Sequence, residues 1–439
     1  MKREATGNKR LLWGALTVLF LAALTGCGGA ANPSAGGESG SKEPSHDPVT
    51  LKLYNTQPLN QDDVNLLINE PLKKKYPYIT VEIVDPSNNN TLQNYIASKG
   101  QLDLLTIYNG HIPSYKELDI FMDITPLAKK NGLDLNRFDP RTLEAMKAIS
   151  DNGELYGIPY NIQFNALYYN KDIFDKFGVP YPKDGMTWDD VIDLGRKVAR
   201  TEGGVVYRPL EPFEPRHLGS VLSLPYVDPK TNKASVRNEG WQKYFNTMKQ
   251  LFEIEGNKLK AGQFGNYNMF SKDQNVAMMA SRLEQISSFI LAQESGLDWD
   301  MTSVPTFKDA PGTGTQVNAP FLAITPTSPY KDEAFKIIAY LLSDEVQLEH
   351  NKDGRLTVLK DENIRSQFGK NIKELVGKNI QAALALKPAK PRTFTLYDDY
   401  VVTSLADGFV SVITGQKDVN TALKDSEEAT NRTIEENKR

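Results

Sequence analysis

Apolar residues recur at two spacings near the start of the folded part of the chain, and together these spacings predict a parallel α/β sheet. Every second side chain is apolar over residues 49–53 and again over residues 79–83, which is typical of half-buried strands. Residues 62–75 carry a helical pattern between them, and residues 102–107 form a third short apolar run. Strand, helix and strand in this order predict parallel strands joined by right-handed crossovers.

Further along, the pattern alternates between extended and helical stretches. Polar and apolar residues alternate over residues 153–170 without a helical period, which predicts one long strand that crosses between two lobes. Thr187 is placed to cap a helix, because apolar residues at helical spacing follow it. Two more helices, one opening at Ser328 and one covering residues 419–429, each show a single apolar face and are interpreted as ordinary core helices.

Amide and aromatic side chains follow two of the predicted strands. In open α/β sheets, ligands bind beyond the carboxyl ends of the strands, so these side chains are the first candidates for a binding site. The alternative is that the small polar residues among them only form turns. The candidates at the two strand ends are Asn55, Gln57, Tyr108, Asn109 and His111.

The N-terminus has the layout of an export signal. Four basic residues fall within residues 1–10, and residues 11–25 carry no charge, a run shorter than a bilayer-spanning helix needs. It ends in Leu24-Thr25-Gly26-Cys27, which resembles a bacterial lipobox, so we interpret residues 1–26 as a lipoprotein signal peptide and Cys27 as the lipidated residue. The alternative is a plain secretory signal with an incidental cysteine.

Residues 27–47 are expected to form a flexible tether, because no large apolar side chain occurs between residues 28 and 47 and such a segment cannot offset its ordering entropy. Acyl chains on Cys27 would hold the folded body at a membrane surface.

Composition narrows the classes of function. The 439 residues suffice for two lobes, and after residue 26 there are 47 Lys and Arg against 54 Asp and Glu. This acidic balance argues against a nucleic-acid partner. The single cysteine excludes an intramolecular disulfide, and the sequence carries no HExxH zinc motif, no phosphate-binding loop and no G-x-S-x-G elbow. We therefore expect no catalytic residues, no metal and no cofactor.

Several stretches, taken in order, resemble family 1 extracellular solute-binding proteins, the maltose-binding-protein-like group of ABC importers. The most recognisable is Leu167-Tyr168-Tyr169-Asn170-Lys171-Asp172-Ile173-Phe174, continuing to Pro180. The other stretches are residues 155–159, 187–190, 270–279, 304–306, 323–324, 328–345 and 415–425.

The resemblance implies a two-lobed, periplasmic-binding-protein-like α/β fold of type II with three interlobe crossovers, near residues 158–163, 319–324 and 356–360. Lobe one would comprise residues 48–158 plus 324–357, and lobe two residues 162–320 plus 358–439. It also implies a monomeric, non-enzymatic receptor on the extracellular side of the cell membrane. Such a receptor closes its cleft on a small polar solute and delivers it to the subunits of an ABC permease.

A carbohydrate ligand calls for aromatic platforms and for fixed hydrogen-bonding groups. Besides the strand-end candidates, we expect contacts from Asn161, Gln163, Asn165, Trp241, Arg282 and Glu284. Trp241 has the alternative of a core residue, and the Arg282–Glu284 pair that of a solvated ion pair. The family often places aromatic residues just before its C-terminal helix; here Tyr397 and Tyr400 lie upstream of Val402, and no aromatic at the matching register is evident.

Three other functions stay open at this point. The two-lobed receptor could bind a peptide, polyamine or inorganic anion instead of a sugar, or it could deliver its ligand signal to a sensor rather than to a permease. A surface glycoside hydrolase is the enzymatic alternative, and it would need two carboxylates roughly 5–10 Å apart across the cleft.

Overall fold

The computed structural model of the chain describes residues 47–56, 61–84, 91–212, 219–259 and 267–437. The predicted signal peptide, Cys27 and all of the predicted tether except residue 47 lie outside the described residues. Gln57, one of the candidate binding residues, also lies outside them.

The strands of the described chain are short. They span Val49–Asn55 (β1), Ile79–Val84 (β2), Leu104–Tyr108 (β3), Asn165–Asn170 (β4), Arg200–Glu202 (β5), Val205–Pro212 (β6), Val227–Asp228 (β7), Lys233–Ala234 (β8), Val276–Arg282 (β9), Trp299–Ser303 (β10), Thr313–Gln316 (β11), Pro320–Ile324 (β12) and Lys387–Ala389 (β13).

The α-helices lie between and after these strands. They span Gln61–Val64 (α1), Glu70–Lys75 (α2), Leu92–Ala97 (α3), Thr125–Lys130 (α4), Pro140–Lys147 (α5), Lys171–Phe177 (α6), Trp188–Val198 (α7), Glu239–Glu253 (α8), Asn268–Ser271 (α9), Ile286–Gln293 (α10), Lys331–Leu341 (α11), Asp344–Lys352 (α12), Glu362–Arg365 (α13), Asp398–Ile413 (α14) and Val419–Glu436 (α15). A π-helical turn at Asn65–Asn69 joins α1 to α2.

The first sheet has the strand order β12-β3-β1-β2. Strand β1 pairs in parallel with both β2 and β3, with Leu51 opposite Val81 and Leu53 opposite Leu104. Strand β12 joins the edge of β3 in the antiparallel sense. The parallel strands 1, 2 and 3 confirm the α/β arrangement predicted from the apolar spacing.

The second sheet has the order β10-β4-β9-β6-β5. Strand β4 pairs antiparallel with β9 and β10, whereas β6 runs parallel to β9. Successive side chains of β4 face opposite sides of the sheet: Tyr168 belongs to one hydrophobic cluster and Leu167 to another, as the twofold period of a strand requires.

Two hydrophobic clusters form the core. The first covers the first sheet and continues beneath one face of the second, where it includes Phe289 and Trp299. The second fills the other face of the second sheet, where helix α7 contributes Trp188 and helix α8 contributes Trp241. Helices α14 and α15 add Leu405 and Leu423 to the same cluster.

The predicted helix after Thr187 is confirmed. The Thr187 hydroxyl accepts a hydrogen bond from the Asp190 amide, and the Asp190 carboxylate accepts one from the Thr187 amide. This reciprocal capping box satisfies two donors at the first turn of α7.

Three element predictions need correction. The single long strand over residues 153–170 is wrong, because only β4 forms a regular ladder and the upstream part makes isolated bridges at Pro159 and Gln163. Pro159 has no amide hydrogen to donate, and the segment changes partners as it leaves the first sheet. Helix α11 begins at Lys331 rather than at Ser328. On α15 the buried stripe passes from Ser426 to Thr430 and continues to Ile434, and Ala429 is exposed.

The segments predicted to cross between lobes lie side by side. The Ile162 amide donates to the Leu356 carbonyl at 3.0 Å, and the Gln163 amide donates to the Asn318 carbonyl at 3.0 Å. The exact lobe boundaries given above stay a prediction.

Candidate functional site

A cleft of about 300 Å³ opens where the carboxyl end of β3 faces the start of helix α14. This volume is at the lower end of the range for small-molecule sites. Its lining combines aromatic rings, amides, two guanidinium groups and two carboxylates. The lining residues are Tyr108, Asn109, Gly110, His111, Ser220, Tyr226, Arg282, Gln316, Val317, Asn318, Arg392, Phe394, Asp398, Asp399 and Val402.

The first wall is the segment that follows β3. Asn109 is buried, and its side chain makes two hydrogen bonds to the segment that leads into β12: Nδ2 donates to the Val317 carbonyl at 3.0 Å, and Oδ1 accepts from the Ala319 amide at 3.2 Å. These two hydrogen bonds engage the Asn109 side-chain amide and hold the first wall against residues 317–319. Neighbouring Tyr108 and His111 are left at the cleft surface, with their rings 6.2 Å apart.

A polar network connects Tyr108 to Arg282 at the end of β9. Gln163 Nε2 donates to the Tyr108 hydroxyl oxygen at 2.8 Å and to Glu284 Oε2 at 2.9 Å. Glu284 Oε1 lies 3.0 Å from Arg282 Nε. Burial, with the nearby Glu284 carboxylate, raises the pKa of the Tyr108 phenol, so Tyr108 stays a neutral hydroxyl at physiological pH.

The opposite wall is built around Arg392. Its guanidinium carbon lies 4.0 Å from the centre of the Tyr226 ring and 4.2 Å from that of the Phe394 ring. Arg392 also forms an ion pair with Asp398, whose other oxygen accepts a hydrogen bond from the Thr395 hydroxyl at 2.8 Å. Asp398 is the first residue of α14, where the helix dipole favours a carboxylate.

A side-chain hydrogen bond links the two walls directly. The Ser114 hydroxyl, in the 3₁₀ segment that follows β3, donates to Asp399 Oδ2 at 2.7 Å. Asp399 belongs to the first turn of α14, so this bond spans from the first sheet's side of the cleft to the second core's side.

The chemistry of the cleft suits a polar, uncharged ligand. Its two arginines each lie beside a carboxylate, which limits the net field available to attract an ion. Fixed amides, hydroxyls and charged groups can hydrogen-bond hydroxyl groups, and aromatic rings can cover apolar faces. Within the described ranges no group of three or more His, Cys, Asp or Glu side chains is arranged to hold a metal ion.

The structure brings together six of the residues predicted from the sequence. Tyr108, Asn109, His111 and Arg282 line the cleft. Gln163 and Glu284 do not line it but are bonded to residues that do.

Four other predicted residues lie away from the cleft lining. Asn55 is buried and accepts a hydrogen bond from the Thr106 hydroxyl at 2.6 Å. Asn165 is buried and donates to the Thr315 hydroxyl at 3.1 Å, beside a separate small cavity. Asn161 is half-buried, and its Oδ1 has no hydrogen-bond partner among the described residues.

Trp241 is the fourth of these, and it lies in the core with 2% of its surface exposed. Its Nε1 donates to the Pro225 carbonyl at 2.9 Å. The packing alternative therefore accounts for Trp241, although its ring contacts that of Tyr226, which does line the cleft.

Most of the residues of the opposite wall, which is built around Arg392, were not predicted from the sequence. Tyr226, Gln316 and Arg392 come from segments far apart in the chain, so no local spacing could have joined them. Phe394 could have been predicted from the sequence, because it is an aromatic residue shortly before helix α14. Tyr397 and Tyr400 were considered instead. Those two rings stack on each other, 6.3 Å apart, and neither lines the cleft.

Comparison with known families gives a match over most of the folded chain. The model of the family described as bacterial extracellular solute-binding protein matches residues 68–375. In the described part of the chain, none of the helices has the length and apolar character of a membrane span.

Two curated relatives align with part of the chain. An arabinooligosaccharide-binding protein of Bacillus subtilis is 31% identical over 160 residues, which is 34% of this chain and 34% of that protein. An arabinooligosaccharide-binding protein of Halalkalibacterium halodurans is 28% identical over 142 residues, 31% of this chain and 29% of that protein. The chain thus aligns with about a third of the length of each of these relatives.

Solved structures show the fold. The sugar-binding protein MalE of Xanthomonas citri superposes with a TM-score of 0.71 at 20% identity, covering 89% of this chain and 100% of that one. An ABC substrate-binding protein of Listeria monocytogenes, solved in complex with cycloalternan, has a TM-score of 0.68 at 18% identity with the same coverage. The chain therefore has the two-lobed α/β fold of MalE-like periplasmic binding proteins.

Proposed function

Because this chain belongs to the family of bacterial extracellular solute-binding proteins, we propose that it captures an oligosaccharide or another carbohydrate outside the cell and delivers it to an ABC permease. The observation that carries the proposal is the cleft, in which aromatic rings, amides and charge-paired arginines converge from two walls. The aligned relatives, both named arabinooligosaccharide-binding proteins, support a carbohydrate as the solute.

Capture would work through closure of the cleft. A ligand that touches both walls binds the closed arrangement better than the open one, and this difference in affinity alone shifts the population toward closure. The protein would then present the closed form to the permease and leave the bonds of the sugar unchanged.

The proposed location is the outer face of the cell membrane. Lipidation at Cys27 would anchor the protein, residues 27–47 would serve as the tether, and the folded body would act as a monomer. Replacing Cys27 by Ser should move the protein from the membrane fraction to the medium. Membrane association that survives C27S would contradict the proposed anchor.

The proposal is tested by thermal denaturation of the purified protein with arabinotriose, maltotriose and mannotriose, each in large excess. A bound sugar at about 100 times its dissociation constant stabilises the folded state by about 2.7 kcal/mol, which raises the melting temperature by several degrees. Spermidine and a tripeptide serve as the non-sugar controls. Stabilisation by either control but by none of the sugars would contradict a carbohydrate ligand.

The same samples test the non-enzymatic role. After prolonged incubation, each sugar should be recovered with its original mass. Shortened products would favour the glycoside-hydrolase alternative, in which two carboxylates act across the cleft.

A further inference from the structure

Four planar groups stack one behind another from the core to the cleft. The rings of Trp241 and Tyr226 lie 5.6 Å apart and are tilted by 32°. The Arg392 guanidinium follows, 4.0 Å from the Tyr226 ring centre, and the Phe394 ring is the fourth layer, 4.2 Å from Arg392. We refer to Trp241, Tyr226, Arg392 and Phe394 as the stacked column.

The column ends at the cleft with Phe394. Trp241 and Tyr226 are 2% and 7% exposed, so little of the two inner layers is accessible. Phe394 is half-buried and lines the cleft. A Cβ placed on Gly110 of the first wall would lie 3.9 Å from Phe394 Cε1, so the ring reaches toward that wall. Since Arg392 covers one face of Phe394, the remaining ring surface is what a ligand can contact.

Arg392 is itself held in a fixed orientation. Its ion pair with Asp398 is largely shielded from solvent, with the two side chains 12% and 5% exposed. The Thr395 hydroxyl holds the second oxygen of Asp398. A guanidinium group is flat and can stack on both faces, whereas a lysine ammonium is a point charge and cannot.

From this arrangement we infer that Arg392 is a positioning residue, which orders Phe394 as a platform for the apolar face of a sugar ring. The inference rests on the proposed function and extends it to one residue and one ligand feature. A pyranose or furanose ring presents C–H groups on one face, and an ordered aromatic ring offers those groups more contact than a mobile one.

The test is a double-mutant cycle on binding, measured by calorimetry with whichever of arabinotriose, maltotriose and mannotriose the unmodified protein binds most tightly. The variants are Arg392→Lys, Phe394→Leu and their combination. Lysine keeps a cation beside Asp398, so R392K retains the buried charge balance and should fold. Arg432→Lys, at an exposed position of helix α15, is the matched control.

We expect R392K and F394L each to weaken sugar binding by about tenfold, while R432K binds as the unmodified protein does. The combined variant should bind no more weakly than F394L, because Arg392 acts through Phe394. Melting temperatures of R392K and R432K are compared to separate loss of the platform from loss of the fold.

Two results would overturn the inference while leaving the proposed function intact. Unchanged binding by R392K would show that planar stacking is not needed. Losses that multiply in the combined variant would show that Arg392 contacts the sugar independently of Phe394. If the unmodified protein binds none of the three sugars, both the proposed function and this inference fail.

Discussion

At the scale of single residues, His350 is a buried imidazole that the ligand-binding proposal does not use. It lies on helix α12 with 8% of its surface exposed, and its Nδ1 has no hydrogen-bond partner among the described residues. Burial, reinforced by the nearby positive charge of Arg355 and opposed by Asp353, lowers the pKa of His350 to about 4. The folded protein therefore keeps His350 neutral through most of the acidic range.

This depressed pKa makes stability depend on pH. Between pH 6.5 and about 4, the unfolded chain takes up a proton at His350 that the folded chain refuses. The stability is therefore fully present above pH 6.5 and falls as the pH drops through this window, by up to about 1.4 kcal/mol per pH unit. We expect His350→Gln to remove this component, so that the unfolding free energies of the two proteins converge as the pH falls.

Urea denaturation at several pH values between 7.5 and 4 measures the effect. His111→Gln leaves His350 in place and should retain its contribution to the slope. Parallel curves for the unmodified protein and H350Q would contradict the assignment.

The residues of the site show what local reasoning can and cannot find. Tyr108, Asn109 and His111 were predicted because they follow a strand at the edge where open sheets bind ligands. Arg392 and Tyr226 could not be paired in this way, since they meet only through the packing of distant segments. Trp241 was proposed for its residue type, and packing against Tyr226 and the second core explains its burial.

At the scale of elements, the approach to the predicted first crossover depends on the absence of a side chain at Gly157. A Cβ on Gly157 would lie 2.3 Å from Phe321 Cδ2 and 2.6 Å from the Leu322 carbonyl oxygen. Both neighbours belong to β12, so the glycine lets this segment pass directly against the edge of the first sheet.

We expect Gly157→Ala to destabilise the protein by about 1–3 kcal/mol, because the added methyl group must displace β12 or the crossover. Gly219→Ala is the control, since its Cβ would meet the Tyr244 ring at an ordinary 3.5 Å. Urea denaturation compares the two, and equal stabilities for G157A and G219A would contradict the proposed clash.

A second element, helix α12, holds two of the predicted crossover segments together. Gln347 is fully buried, and its side chain makes four hydrogen bonds. Nε2 donates to the Tyr160 and Leu341 carbonyls at 2.9 Å each, and Oε1 accepts from the Thr357 hydroxyl at 2.7 Å and the Val358 amide at 3.1 Å. The predicted first and third crossover segments are thereby hydrogen-bonded to one side chain.

Replacing Gln347 by Leu should cost about 2–5 kcal/mol of unfolding free energy, because it leaves several buried polar groups without partners. Gln416→Leu, at an exposed position, is the matched control and should change stability by less than about 0.5 kcal/mol. The comparison is made by chemical denaturation. A Q347L variant as stable as Q416L would show that the hydrogen bonds of Gln347 contribute nothing to the free energy of unfolding.

Regular elements were easier to predict than the segments between them. Strands β1, β2 and β3 and helix α7 each follow from a local period or a capping residue. Residues 153–164 alternate between polar and apolar side chains as a strand does. In the structure, however, this segment makes isolated bridges instead of a continuous ladder, and Gly157 lets it pass close to β12. The hydrogen-bond partners of Ile162 and Gln163 are Leu356, in the predicted third crossover, and Asn318, just before β12. Sequence spacing cannot reveal such distant partners.

At the scale of the whole molecule, the hydrogen bond between Ser114 and Asp399 couples the two walls of the cleft. The Ser114 hydroxyl donates to Asp399 Oδ2, and the two oxygens are 2.7 Å apart. A bond of this kind contributes about 0.5–1.5 kcal/mol, which corresponds to a shift of roughly two- to tenfold between arrangements with the walls together and apart.

We expect Ser114→Ala and Asp399→Ala each to enlarge the radius of gyration of the sugar-free protein in X-ray scattering. They should also weaken sugar binding by roughly two- to tenfold, because the ligand must then supply the free energy that this bond contributes to closure. Combining the two substitutions should add little, since both remove the same bond. Asp407→Ala removes an exposed carboxylate from the same helix and should leave scattering and binding unchanged. If S114A and D407A scatter identically, this bond does not hold the walls together, and closure must depend on contacts that the ligand itself provides.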